Sequence, residues 1–189
     1  MLGLRRYKSA QIDVWQGDIT TFAVDAIINA ANETLSGGLG VDGAIHSVGG
    51  PTILEECKQL SGCPTGSSVV TRAGLLPATW VIHAVGPIWS GGNSSEPDLL
   101  RQCYLSILQT AEQLAARHIS IPAISTGAYG FPKKQAAFFA FETVKKFLDL
   151  NSHKSLRRVS FVAFDEAMYD VLQESLFARF PDELDQEGY

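Results

Sequence analysis

An α/β fold, with a mostly parallel sheet covered by helices on both faces, follows from three features of this sequence. Short apolar runs rich in β-branched and aromatic residues recur along the chain. Longer stretches of helical periodicity separate them, and glycines and small polar residues collect directly after the runs. Parallel strands give this pattern because each return between them needs a long crossover, which leaves both sheet faces to be covered.

The apolar runs fall at residues 11–15, 24–30, 80–85, 119–124 and 159–164, each of strand length. Between the last three lie two amphipathic patterns. Leu99, Leu100, Cys103, Ile107, Leu108, Ala111 and Leu114 share one face of a helix over residues 97–117. Ala137, Phe141, Val144 and Leu148 do so over 133–150, and Met168, Val171, Leu172, Ser175 and Leu176 over 166–179. Another helix is predicted to start near Asp42, and the segment around Glu55 and Glu56 also reads as helix. No repeat, low-complexity tract or linker divides the chain. Residues 1–180 are therefore expected to form one domain, and the polar, acidic stretch 181–189 to fray.

The chain has 189 residues, 46% hydrophobic and 19% charged, which suits a single globular core rather than a disordered polymer. A formal charge of −5 and the lack of any long Lys/Arg run argue against nucleic-acid binding through a broad basic surface. Cys57, Cys63 and Cys103 are odd in number and form no CxxC pair, the pattern of reduced thiols. The opening MLGLRRYKSAQ lacks the apolar core of a secretory signal, and no run reaches membrane-spanning length, so a cytoplasmic protein is expected.

Ligands of open α/β sheets bind outside the carboxyl ends of the strands, so the residues that follow each run matter most. Gly17-Asp18-Ile19-Thr20 follows the first. Asn29-Ala30-Ala31-Asn32 closes the second, and Ser36-Gly37-Gly38-Leu39-Gly40-Val41-Asp42-Gly43-Ala44-Ile45-His46 comes after it. Ser125-Thr126-Gly127-Ala128-Tyr129-Gly130 and Phe164-Asp165 follow the last two. The two glycine-rich loops contain no Lys or Arg. Successive backbone N–H groups and a helix amino terminus can hold a pyrophosphate without a cation, which suits an acidic protein. Gly38-Leu39-Gly40-Val41-Asp42-Gly43 also fits G-x-G-x-x-G, but seven residues separate Gly38 from the preceding strand, which is the wrong context for a dinucleotide fingerprint. Asp42 and His46 lie four apart and share a helix face. Asp42 could cap the helix or position a water. His83 lies within an apolar run and reads as core, whereas His118 and His153 read as surface or strand-edge positions.

At these residues the chain resembles the macrodomain family, and within it the MacroD-type ADP-ribosyl hydrolases. Further stretches carry the likeness: Val24-Asp25-Ala26-Ile27-Ile28, Cys63-Pro64-Thr65-Gly66, Val81-Ile82-His83-Ala84-Val85-Gly86-Pro87-Ile88-Trp89, and Pro122-Ala123-Ile124 before the 125–130 loop with Phe131-Pro132 after it. The likeness runs from about residue 11 to residue 178. It implies a three-layer α/β/α sandwich around a mixed, mostly parallel sheet, with ADP-ribose in a cleft across its top. It also implies that Asp18 receives the adenine amino group beside Ile19, and that Phe164 packs on the adenine. Asn32, Gly38, Gly40 and Val41 would contact the distal ribose. Ser125, Thr126, Gly127, Ala128 and Tyr129 would hold the diphosphate, with Tyr129 near the distal ribose. Asp42, with Asn32 and His46, would carry catalysis.

The activity implied is removal of mono-ADP-ribose from Asp or Glu esters on proteins, or deacylation of O-acyl-ADP-ribose, with no cofactor or metal. The partners implied are ADP-ribose, ADP-ribosylated proteins and acyl-ADP-ribose. A non-catalytic reader of ADP-ribose is the main rival, and a binder of RNA ends or poly(A) a second, disfavoured by the acidic charge. In this chain Leu39 interrupts the glycine run that the family usually carries before Val-Asp-Gly. A Cβ there either strains a left-handed backbone or crowds the rim of the site.

Overall fold

Five apolar runs become the parallel core of the sheet. The computed structural model describes residues 3–150 and 155–181. In chain order the strands are β1 (Gly3–Tyr7), β2 (Ala10–Gln16), β3 (Ala26–Ala30), β4 (Ser68–Arg72), β5 (Trp80–Ala84), β6 (His118–Pro122) and β7 (Arg158–Ala163). The helices are α1 (Gly40–Gly49), α2 (Pro51–Cys57), α3 (Glu96–Gln113), α4 (Lys133–Asp149) and α5 (Glu166–Arg179), and a single 3-10 turn covers Ile19–Thr21. The strands form one sheet in the order β1-β2-β7-β6-β3-β5-β4. β2, β7, β6, β3 and β5 run parallel, while β1 and β4 close the two edges antiparallel. The sheet is thus mixed and mostly parallel, as the sequence predicts.

The side chains of each inner strand alternate between two cores. Ala26 and Ile28 of β3 join Ile82 and Ala84 of β5 under α3, α4 and α5, where Phe141 meets Phe161 with ring centroids 4.4 Å apart. Ile27 and Val81 face the other way and pack with Ile45 of α1 and Ile53 and Cys57 of α2. The result is a three-layer sandwich. The first core holds the buried aromatic rings and the second is aliphatic, and truncating one such ring costs about 3–5 kcal/mol. All three cysteines are buried and unpaired, as reduced thiols would be. No described helix is long and apolar enough to cross a membrane.

Sequence periodicity misses β1 and β4. Both are short edge strands, and β1 carries the Arg5-Arg6 pair, so neither shows a continuous apolar run. Helix α3 ends at Gln113, four residues before the expected limit, because Ala115 takes a left-handed φ of 53° and turns the chain into β6. His153 and the tail from residue 182 lie outside the described residues.

The topology sets the site through one local feature. β3 and β6 are neighbours, yet they pair only at Ala26 with Ile119 and Ile27 with Ser120. At their amino ends they are held tightly. Asp25 Oδ2 accepts from the N–H of both Arg117 and His118 at 2.8 Å, and the Asp25 N–H donates to the His118 carbonyl at 3.0 Å. Toward their carboxyl ends the two strands part, and a cleft opens between them. Asp25→Ala removes a carboxylate that satisfies two backbone donors. It is expected to lower unfolding free energy by about 2–3 kcal/mol, measured by urea denaturation.

Candidate functional site

Where β3 and β6 part, a cavity of about 960 Å³ crosses the carboxyl edge of the sheet. That volume suits a nucleotide-sized ligand. Its wall contains Asp18, Ile19, Asn32, Gly38, Leu39, Gly40, Val41, Asp42, Ser125, Thr126, Gly127, Ala128, Tyr129 and Phe164. Every residue the sequence points to is therefore gathered here, with one exception. His46 does not line the cavity. It sits behind Asp42, with Nε2 3.4 Å from Asp42 Oδ1 and its buried Nδ1 without a partner.

Part of the cavity wall pairs a fixed carboxylate with an exposed aromatic ring. Asp18 caps the 3-10 turn, and its Oδ1 accepts from the Thr20 N–H at 2.9 Å and the Thr20 hydroxyl at 2.7 Å. These bonds fix the carboxylate and leave Oδ2 as the acceptor for a ligand. Phe164, next after β7, is 87% exposed, a large apolar surface left at the rim. Asp165 beside it caps α5 by accepting from the Met168 N–H at 2.8 Å, which locks the Phe164 backbone in place.

The middle of the cavity presents backbone donors. Ser125 is held at φ 65°, and its carbonyl accepts from the Phe131 N–H at 2.9 Å, which closes the loop. Among the described residues nothing accepts from the N–H groups of Gly127, Ala128 or Tyr129. Across the cleft, α1 begins at Gly40 with Leu39 as its N-cap, and Leu39 makes no side-chain capping bond. The first N–H groups of that helix therefore stay available to an anion. Loop and helix are pressed close. A Cβ on Gly43 would stand 2.5 Å from the Gly38 carbonyl oxygen, and one on Gly86 would stand 2.2 Å from Ser125 Oγ. Lys133 is the one cation among the described lining residues. Lys133 begins a helix just past the loop, a position that reads from the sequence as solvated surface, so it is not among the residues the sequence points to.

The part of the cavity formed by α1 and the loop before it holds Asp42 and Asn32. Asp42 is 5% exposed and lies in the first turn of α1, where its Oδ1 accepts from Asn29 Nδ2 at 2.7 Å. It makes no N-cap bond, so capping does not explain this carboxylate. Asn32 is tied into its own loop: Nδ2 donates to the Gly37 carbonyl at 2.8 Å, and Oδ1 accepts from the Thr34 hydroxyl at 2.9 Å and the Ser36 N–H at 3.1 Å. That leaves one Nδ2 hydrogen for a ligand. Burial, followed by the charges of Glu33 and Asp42, pushes the Tyr129 phenol above its ordinary range, which places Tyr129 near the same part of the cavity. The Cys63-Pro64-Thr65 stretch stays outside the cavity and braces it. Glu33 accepts from the Thr65 N–H and hydroxyl at 3.0 and 2.7 Å, bonds that hold its carboxyl below the usual range.

Of the two sequence expectations for Leu39, strain or crowding, the backbone removes strain. Its φ is −102°, and Gly40 takes the left-handed turn at φ 62°. The leucine is 95% exposed and stands on the rim, so only crowding remains as its effect. The fold also places together potential metal donors that sequence spacing does not reveal. Sequence spacing shows no ligand cluster, yet the fold brings donor atoms of His46, Cys57 and His83 within 4.8 Å of one another.

Burial, then the charge of His46, lowers the His83 pKa from 6.5 to about 4. Above pH 6.5 both folded and unfolded states hold it neutral. As pH falls from 6.5 toward 4, the unfolded chain binds a proton that the folded chain refuses, so stability is lost across that window. The loss is expected to total roughly 3 kcal/mol, read as the difference in pH-dependent urea stability between wild type and His83→Asn.

Comparison with known proteins agrees with this geometry. The Macro domain family profile matches residues 28–140. A Macro domain-containing protein of Methanosarcina mazei is 54% identical over 141 residues, 75% of each chain. An O-acetyl-ADP-ribose deacetylase of Enterobacter cloacae is 49% identical over 173 residues, covering 89% of this chain and 95% of that one. Among solved structures, the Oceanobacillus iheyensis macrodomain with ADP superposes with a TM-score of 0.87 at 36% identity, covering 93% and 94% of the two chains. The Trypanosoma brucei macrodomain in complex with ADP-ribose gives 0.81 at 40% identity, covering 86% and 68%. With the family profile spanning more than half its length, and with relatives near half identical over most of theirs, this chain belongs to the Macro domain family.

Proposed function

We propose that this macrodomain binds ADP-ribose and hydrolyses esters attached to it, acting on O-acyl-ADP-ribose and on proteins mono-ADP-ribosylated at Asp or Glu. The observation that carries the proposal is the position of Asp42. A pure reader has no use for a buried carboxylate in the cavity wall beside Gly38 and Asn32. The deacetylase name of the Enterobacter relative supports the small-ester reaction.

In this reading the adenine lies between Ile19 and Phe164 with its amino group on Asp18. The diphosphate lies on the N–H groups of residues 127–129 and the start of α1, and the distal ribose lies near Asn32 and Gly38–Val41. Asp42 then orients the water that attacks the ester, and the substrate's own diphosphate shares in taking its proton. Water adds, the ester bond breaks, and ADP-ribose and the free carboxylic acid leave.

Asp42→Ala separates binding from turnover. Hydrolysis of O-acetyl-ADP-ribose is expected to fall roughly 10²–10⁴-fold. ADP-ribose at about 100 times its Kd should still stabilise the variant by about 2.7 kcal/mol in a thermal-shift assay. The variant itself should be about 1–3 kcal/mol less stable, because Asn29 loses its acceptor. Near-normal turnover in the variant would show that Asp42 has no part in catalysis, a wild-type protein that binds without turning over the ester would leave a reader as the function, and loss of the ligand shift would mean that the loop had collapsed.

Leu39 on the rim bears on substrate size. Leu39→Gly is expected to raise kcat/KM for a Glu-linked protein substrate more than for O-acetyl-ADP-ribose, since it widens the entrance without relieving backbone strain. Equal changes on both substrates would show that the leucine is a neutral surface residue.

A further inference from the structure

Behind the cavity wall, hydrogen bonds lead from Asp42 into the sheet. Asn29 and His83 are register partners on the parallel strands β3 and β5, and Thr71 lies beside them on the edge strand β4. All three are buried, Asn29 and His83 completely. One Asn29 Nδ2 hydrogen goes to Asp42 Oδ1 at 2.7 Å, and the other points at His83 Nδ1, 3.1 Å away. His83 Nε2 lies 2.9 Å from Thr71 Oγ1, whose own hydrogen is donated to the Arg72 carbonyl at 3.0 Å.

The direction of every bond follows from donor counting. Thr71 has one hydrogen and has used it, so Oγ1 must accept from His83 Nε2–H. That tautomer leaves Nδ1 as an acceptor for Asn29. Reversing the Asn29 amide would set its carbonyl oxygen 2.7 Å from the Asp42 carboxylate, acceptor against acceptor. The amide is fixed, although its Oδ1 is left buried without a partner.

We infer that Thr71, His83 and Asn29 form a relay that aims the Asp42 carboxylate at the cavity, with His83 as a positioning residue that never touches the substrate. The inference rests on the hydrolytic role proposed above for Asp42. Burial keeps the imidazole neutral near pH 7, as the relay requires, because its pKa is lowered to about 4. The same geometry disfavours a metal on His46, Cys57 and His83. A metal at Nε2 would displace the proton given to Thr71 while Nδ1 still accepts from Asn29. It would also need the Cys57 thiolate, and burial pushes that thiol up to about 11.

Two replacements at one position test the relay. His83→Leu removes the acceptor for Asn29, whereas His83→Asn sets an amide oxygen near the place of Nδ1. With O-acetyl-ADP-ribose as substrate, His83→Leu is expected to lower kcat by up to about 10²-fold, through misaiming of Asp42. KM and the Kd for ADP-ribose should hold, and His83→Asn should recover most of kcat. Thr71→Val loosens the far end of the relay and should lower kcat in the same selective way, which covers the case in which His83→Leu does not fold. Wild-type kcat in a folded His83→Leu, or parallel loss of kcat and ADP-ribose affinity in all three variants, would overturn the relay while the hydrolytic role stood. A wild-type protein that binds ADP-ribose without turning over the ester would remove both. Zinc inhibition that Cys57→Ser abolishes would overturn the tautomer on which the relay depends.

Discussion

Beyond Ile27 and Ser120 the central strands β3 and β6 stop pairing, and the site depends on that parting. Two parallel strands in a packed sheet would ordinarily continue their ladder, since unpaired buried backbone groups are costly. Here Asp25 holds the amino ends together through two bonds to the start of β6, so the divergence is confined to the carboxyl ends. The chain also changes direction across the sheet at this point, which is where α/β folds bind ligands. The loops after β3 and β6 then face each other across the gap.

An acidic protein that is to hold a diphosphate, as proposed for this chain, needs positive potential without many cations. The fold supplies it as oriented N–H groups. The uncapped start of α1 and the left-handed turn at Ser125 aim several such groups into one cavity. Gly43 and Gly86 allow this packing, because a side chain at Gly43 would collide with the Gly38 carbonyl before α1 and one at Gly86 with the Ser125 side chain. Carboxylates line the same cavity, Asp18 and the buried Asp42, together with the exposed Phe164. The wall thus offers acceptors as well as backbone donors. A ligand with a hydrogen-bond-donating base, an anion and a hydroxylated sugar complements that set.

Much of this was legible in the sequence, for identifiable reasons. Buried parallel strands must be apolar throughout, so β2, β3, β5, β6 and β7 announce themselves, and the loops after them carry glycine where close approach demands it. Edge strands have no such requirement, and β1 and β4 are missed. Residues that contact the cavity through the backbone were found from glycine content, whereas Lys133 was hidden in the first turn of a helix. The relay was illegible for another reason. Asn29, Thr71 and His83 are far apart in sequence and meet only because β3, β5 and β4 are adjacent. His83 was assigned to the core, and it is completely buried there. Register, which sequence spacing does not reveal, gives that buried histidine a polar partner.

The cost of the site can be located as well. Six buried side-chain atoms lack a hydrogen-bond partner among the described residues, and Asn29 Oδ1, His46 Nδ1 and Ser125 Oγ are three of them. All three lie in or directly behind the cavity wall. Each unsatisfied buried group costs about 1–3 kcal/mol, and the left-handed Ser125 adds about 1–2 kcal/mol. Such losses are large against the net stability of a domain, so a chain selected for stability alone would remove them. They sit where, under the proposed function, a carboxylate is aimed and a backbone donor faces an anion. Asn29 in particular gives up a partner for its oxygen so that both hydrogens of its amide can be fixed, one on Asp42 and one on His83. An aspartate at that position could donate nothing to Asp42, and a leucine would leave the Asp42 carboxylate unaimed. The asparagine is the side chain that meets both neighbours with donors, and the price is an oxygen left in the dark.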